Sequence, residues 1–387
     1  MKEGWEYKKI KDVAEVFAGQ GAPQGDSNYC SNGIPFIKAG NLFELINGKN
    51  EASIQNVSEQ VALSHKLRLY KAGSVLFAKS GMSCMKGYVY TLKNDCYVVS
   101  HLAIITPHSV NSHFLNYYLC VNKPNSLIKD AAYPSISLKD IENLKIPIPP
   151  LAEQKRIVEE LDLLSSIIDK KKAQLKELDQ LAQSIFYTMF GDPITNPKGW
   201  QVQALSTVCD VRDGTHDSPK YVDNGYPLIT SKNVVNGTIS FDNVNLISER
   251  DLIAINARSK VDDGDIIMPM IGTIGKPTIV IKTREFAIKN VALIKFSEAK
   301  RVLNIYIQKL LDSESYSRFI KEQNRGGTQK FISLGMIRKL PTPLPPLSLQ
   351  QEFAEKVEAI EKQKALIQQS IAETQTLFDS RMDHWFS

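Results

Sequence analysis

The chain repeats itself at half its length, and that duplication limits what it can fold into more than any other feature. Ile136-Ser137-Leu138, Ile141, Leu144, Pro147, Pro149-Pro150-Leu151 and Gln154 return as Ile332-Ser333-Leu334, Ile337, Leu340, Pro343, Pro345-Pro346-Leu347 and Gln350, each 196 residues later without a gap. Gly4-Trp5, Val13, Val16 and Gly19 return as Gly199-Trp200, Val208, Val211 and Gly214 at an offset of 195. Solenoid units run to only ~20–50 residues. The period therefore describes a whole domain plus its connector, made twice within 387 residues, and predicts two copies related by approximate twofold symmetry.

Each connector reads as one long helix. After Pro149-Pro150 the chain runs without Pro or Gly to Gly191, and Ile157, Leu161, Leu164, Ile168, Lys171, Leu175, Leu178, Ala182, Ile185 and Met189 recur at alternating spacings of four and three. Phe353, Val357, Ile360, Lys364, Ile367, Ile371, Thr374, Phe378, Arg381 and Trp385 repeat that stripe. This is a heptad seam, and a helix of that length runs roughly 60 Å. So narrow a stripe needs a partner helix. Twofold-related copies would supply one within the chain, antiparallel; an intermolecular coiled coil is the alternative. Polar seam residues weaken such a core but fix its register. The expected division is 1–150 and 191–346 as globular copies, with 151–190 and 347–387 as helices.

The globular stretches contain short β-branched runs broken by Gly, Asn, Asp and Pro: Ser74–Ala78, Tyr97–Ser100, Asp265–Met268 and Thr278–Ile281. Helical segments fall near 112–122 and 302–323. The class expected is α+β, each copy built on a curved sheet. Formal charge is +5 overall but unevenly placed: +4 in 1–150 and +5 in 191–346, against −1 and −3 in the connectors. Basic globular parts favour a polyanionic partner, with an ordinary solvated surface as the alternative. Loops differ between copies more than the framework does. Lys79–Gly87 stands where the second copy has Met270–Lys276, and Ala131–Ser135 where it has Arg325–Phe331.

Taken together, Ile146-Pro147-Ile148-Pro149-Pro150-Leu151-Ala152-Glu153-Gln154 running into a long helix, the Gly191-Asp192-Pro193 exit, the Lys198-Gly199-Trp200 restart and the second Pro-Pro-Leu helix resemble the specificity (S) subunit of type I restriction–modification systems. The resemblance covers essentially the whole chain; Ser348-Leu349-Gln350 departs slightly from the usual Ala-Glu-Gln. It implies two pseudo-twofold-related α+β DNA target recognition domains, separated by two long helices forming an intramolecular antiparallel coiled coil. Each domain would read half of a bipartite, asymmetric site in double-stranded DNA. The helices would set the spacer and dock two methyltransferase (modification) subunits, with restriction/translocase subunits as further partners. The chain itself would carry no catalysis and no cofactor; S-adenosylmethionine and ATP would belong to the partners.

Polar loop side chains that can reach base edges or phosphates are the candidate contacts. In the first copy these are Lys38, Asn41, Lys79, Ser80, Lys86 and Tyr133. In the second they are Ser231, Lys232, Asn233 (with Thr230), Thr273, Lys276, Arg325, Thr328, Gln329 and Lys330. The candidate seam is Ile157, Leu161, Leu164, Ile168, Leu175, Leu178, Ile185, Phe353, Val357, Ile360, Ile367, Ile371 and Phe378.

Catalytic and metal motifs are lacking. The only Pro-Pro pairs start helices, so no Asn/Asp-Pro-Pro-aromatic methyltransferase motif exists. Gly272–Lys276 lacks Walker spacing, and Gly19-Gln20-Gly21 lacks a strand–turn–helix context. The six histidines form no HExxH, and Asp213–His216 and Asp262–Asp265 read as turns. Five cysteines without a CxxC pair, no apolar start and no apolar run near ~20 residues predict a reduced, cytoplasmic setting. A stand-alone DNA-modifying enzyme and a coiled-coil dimerising adaptor are the competing readings.

Overall fold

The computed structural model describes residues 4–235, 237–270, 276–323 and 332–387. Two compact units result, Met1–Lys172 with Gln369–Ser387, and Ala173–Gln368. They divide differently from the stretches expected above, because each long helix lends part of its length to both units. No helix among the described residues is long and apolar enough to cross a membrane.

In the first unit, an antiparallel sheet orders its strands Ala14–Ala18, Leu102–Pro107, Val75–Ala78, Val89–Thr91. A smaller sheet places Ile34–Ile37 between antiparallel Asn56–Val57 and parallel Tyr97–Val98. Glu6–Lys9 pairs with Lys145–Ile148, bringing the start of the domain to the approach of the first long helix. The second unit repeats this plan: Asp210–Asp213, Val291–Lys295, Ile266–Pro269, Thr278–Ile279 in one sheet. Its other sheet orders Tyr221–Val222, Asn245–Ile247, Tyr226–Ile229, Ala287–Ile288, and Val202–Ala204 pairs with Pro341–Pro343. Each copy is thus α+β, as expected, with its strands divided among several small sheets. The segment expected as one helix near 302–323 is two, Asn304–Leu311 and Glu314–Gln323, because Ser313 is buried at the break and its Oγ accepts from Tyr316 N at 3.3 Å.

Both connectors are single forty-residue helices, Leu151–Phe190 and Leu347–Phe386. The repeated glutamine explains how each is fastened. Gln154 Oε1 accepts from Asn111 N at 2.8 Å while its Nε2 donates to Pro149 O at 2.8 Å. Gln350 does the same with Leu303 N and Pro345 O, at 2.9 and 2.8 Å. Both side chains are buried, 2% and 0% exposed, so they satisfy backbone groups that water cannot reach. At the far end of the first helix, Gly191 turns the chain at φ +79° and its N–H caps Tyr187 O.

The helices meet within each unit. In the first, Glu160 pairs with Arg381, and Lys171 Nζ donates to Ser370 Oγ and Thr374 Oγ1 at 2.5 and 3.1 Å. In the second, Asp179 pairs with Lys364 at 2.7 Å, and Phe186 and Phe190 lie against Phe353 with centroids 5.7 and 5.2 Å apart. Partner numbers fall as the first helix's rise, so the pairing is antiparallel in both. Ile157, Leu161, Ile168, Phe353, Val357 and Ile360 are buried, whereas Leu164, Leu175, Leu178, Ile185, Ile367, Ile371 and Phe378 are partly buried. Burying each of these large side chains fully stabilises by about 1.5–3 kcal/mol. The aromatic ends also anchor the domains: Phe386 stacks edge-on against Phe114 at 5.3 Å, and Phe190 against Tyr306 at 4.8 Å.

Candidate nucleic-acid interface

In each unit, backbone hydrogen bonds stitch together loops that are far apart in sequence. In the first, Val99 N donates to Ile37 O (2.9 Å), Gln20 N to Val98 O (2.8 Å), Ser100 N to Gln20 O (2.8 Å), Lys79 N to His101 O (2.9 Å) and Ile136 N to Lys79 O (2.8 Å). Segments 19–20, 37–38, 79–81, 99–101 and 134–136 therefore lie side by side. In the second, Lys289 N donates to Ile229 O (2.8 Å), Thr215 N to Ile288 O (3.0 Å), Asn290 N to Thr215 O (3.2 Å) and Ile332 N to Met270 O (2.9 Å). Four of the five bonds in the first unit have a counterpart in the second, on a different set of side chains.

Gly19 and Gly214 make it possible. A Cβ on Gly19 would lie 2.2 Å from Val99 O, and one on Gly214 2.4 Å from Ile288 O, distances no side chain tolerates. This close approach is why glycine recurs at the 195 offset.

The structure gathers some sequence candidates and separates others. Lys38, Lys79 and Ser80 sit on the stitched segments, Asn41 opens the helix Asn41–Ile46 just beyond Lys38, and exposed Tyr133 precedes Ser135, which bridges to Ser80. Lys38 Nζ donates to Gln55 Oε1 at 2.6 Å and lies 4.6 Å from the Tyr29 ring. Lys86 is exposed at the end of the Met82–Lys86 turn, which Asn125 ties through Met85 O, beyond the stitched segments. Asn41 and Asn233 shape their loops: Asn41 Oδ1 accepts from Lys38 N at 2.8 Å, and Asn233 Oδ1 from Thr230 N at 3.0 Å. Asn233 is only 8% exposed, so it holds the turn that presents Ser231 and Lys232. Lys276 is exposed. Thr273, Arg325, Thr328, Gln329 and Lys330 lie outside the described residues.

Sequence reasoning missed Gln20, His101, Thr215, His216, Lys289 and Asn290, all on stitched segments. Ser80 Oγ lies 2.9 Å from His101 Nδ1. His216 links Asn290 Oδ1 (2.9 Å) to Asp213 Oδ2 (2.8 Å), and Asp213 Oδ1 accepts from Arg258 Nη2 at 2.9 Å. The repeated glycine was the available signal, because the residue after it begins each cluster. Among the described residues, no group of three His, Cys, Asp or Glu could hold a metal ion. What the arrangement can do is present hydrogen-bonding and cationic side chains from converging loops.

Comparisons with known proteins agree with this geometry. The model of the type I restriction modification DNA specificity domain matches twice, over residues 2–180 and 197–375. The chain is 22% identical to the type I restriction enzyme MjaVIII specificity subunit of Methanocaldococcus jannaschii, over 93% of this chain and 87% of that protein. It is 23% identical to the EcoKI specificity subunit of Escherichia coli K12, over 93% and 82%. With the MjaIX specificity subunit of M. jannaschii, 25% identical, the match spans 65% of this chain and 63% of that protein. Among solved structures, the type I restriction–modification S subunit from M. genitalium aligns over 98% of this chain and 95% of its own, with 12% identity and a TM-score of 0.54. A chain from a structural study of type I R-M complex assembly and conformational transition aligns over 100% and 98%, with 18% identity and a TM-score of 0.58.

Proposed function

The chain belongs to the family of type I restriction–modification DNA specificity proteins, and from that premise we propose that it is the non-catalytic, DNA-reading subunit of such a system. Each domain reads one half of a split, asymmetric site. The paired helices set the spacer and offer docking faces to two methyltransferase subunits; restriction/translocase subunits join that assembly. S-adenosylmethionine and ATP chemistry belong to those partners.

One observation carries the reading: the same stitched loop scaffold is built twice and carries different side chains. A scaffold kept while its tips diverge suits two readers of different base sequences. Lys and Arg on phosphates supply affinity, and polar tips on base edges supply discrimination. The distribution of charge supports this, since both globular stretches are basic and both helices are not. Exposed Leu163, Leu181, Leu366 and Leu377 give the helices apolar positions suited to partner helices.

The test uses the purified full chain with and without modification subunits. Alone with S-adenosylmethionine it transfers no methyl group; with its partners it directs adenine methylation to a split sequence. Lengthening both helices by about one turn, four residues, shifts the preferred spacer and leaves both half-sequences unchanged. Methylation by the isolated chain, or half-sequences that change with helix length, refutes the reading.

A further inference from the structure

Asn290 occupies the left-handed region of backbone space, φ +55°. Asparagine tolerates that region, yet glycine does so at less cost. Its amide, however, is engaged. Oδ1 faces His216 Nδ1 at 2.9 Å, and His216 Nε2 faces Asp213 Oδ2 at 2.8 Å. Two ring nitrogens each facing an oxygen match the doubly protonated imidazolium, because the neutral ring has one N–H only. The charged groups around the ring are Asp213 at the end of its strand, Arg258 from the helix Glu249–Ser259, and Asp217 and Lys289 on the flanking loops; Lys289 donates to Ser218 Oγ at 2.5 Å. The hydrogen bonds to Asn290 and then Asp213 hold His216 above the ordinary histidine pKa.

An imidazolium N–H can donate only to the oxygen of the amide, which leaves Nδ2 as the group Asn290 can offer elsewhere. The first domain has no such device on its matching stitches: Gly21 stands where His216 does, and Ser100 where Asn290 does. A feature present in one copy and dispensable to the shared scaffold is better suited to recognition than to folding.

We infer that Asn290, aimed by the His216 imidazolium, is a specificity-determining residue of the second domain that donates its amide N–H to an acceptor on a base edge. This rests on the DNA-reading assignment above. In the major groove the acceptors are O6 and N7 of guanine, N7 of adenine and O4 of thymine, so a position presenting the cytosine N4 donor is disfavoured. The upward shift sets the sign of the pH effect: the imidazolium bonds are fully present below the ordinary histidine range and are lost as pH rises through the raised value.

The experiment selects duplexes from a randomised pool with the full chain, on either side of the His216 titration located by NMR of its ring. Asn290→Gly keeps the backbone free to adopt positive φ and deletes the amide. It is expected to cut the preference at one base pair of one half-site roughly tenfold or more, leaving the other half intact. His216→Gln is expected to abolish the pH dependence at that same base pair. A glycine variant selecting the same sequences as the parent overturns this inference alone. A parent chain that selects no sequence overturns the DNA-reading assignment and this inference with it.

Discussion

The two domain copies share strand register residue for residue, yet they close the same strand end with opposite chemistry. Val75 pairs with Ile105 in the first copy and Ile266 with Ile294 in the second. One step earlier, the first copy places Ser74 Oγ 3.1 Å from Thr106 Oγ1. At the matching place the second buries Lys295, whose Nζ donates to Asp265 and Asp262, each at 2.8 Å. Desolvation pulls the ammonium down, but its bonds to Asp262 and Asp265 outweigh that and leave Lys295 above its usual pKa; Lys295 in turn holds Asp262 below its own. The glycines before these positions, Gly73 and Gly264, both take positive φ, +86° and +79°. Duplication therefore preserved the backbone solution and left each copy to satisfy its buried polar spot separately. A neutral hydroxyl pair and an ion cluster hold the same joint, but they fail differently when one partner is removed.

The largest contrast is expected there. Asp265→Ala leaves the buried ammonium with Asp262 as its one carboxylate and should destabilise the second copy by about 1.5–3 kcal/mol. Ser74→Ala should cost the first copy only about 1 kcal/mol. Hydrogen exchange resolved by domain measures both, and equal losses would mean that the ion cluster matters no more than the hydroxyl pair. Next in size, Gly19→Ala and Gly214→Ala force the stitched segments apart and should each cost about 1–3 kcal/mol. Similar losses by denaturant unfolding would sharpen the likeness of the scaffolds; a loss in one copy alone would break it. The smallest effect belongs to the seam. Lys171 meets Ser370 and Thr374, whereas Lys364 meets carboxylates of Asp179 and Glu361. Lys171→Leu should change stability by less than about 1 kcal/mol while loosening register. Cross-linking of cysteines introduced across the seam reads register directly, and one unique pattern surviving the substitution would deny Lys171 that role.

How far the candidate interface was legible varied with the range of the interactions involved. The loops that differ between copies were visible as sequence divergence, and Lys38, Lys79 and Ser80 do fall on stitched segments. Gln20, His101, His216 and Asn290 were not visible as a cluster. His216 and Asn290 are 74 residues apart and meet only through strand pairing. Asp213-Gly214-Thr215-His216 read as a turn because local composition reports a turn and is silent about what crosses it. Val99 and Ser100 looked like strand, but the strand stops at Val98, and the next two amides go to Ile37 O and Gln20 O. Asn233 looked like a contact residue, and its amide oxygen instead closes its own turn.

By itself the sequence determined the duplication, the α+β class and the two long helices. Each of those is written in spacing along the chain: an offset of 195–196, a four-three stripe, prolines before and glycine after. Only the tertiary structure decided how the helices run within each unit, which glycines touch backbone, and which side chains converge at the loop ends. Those depend on pairings between distant segments, where the backbone hydrogen bonds that choose the neighbours carry no residue-specific signature.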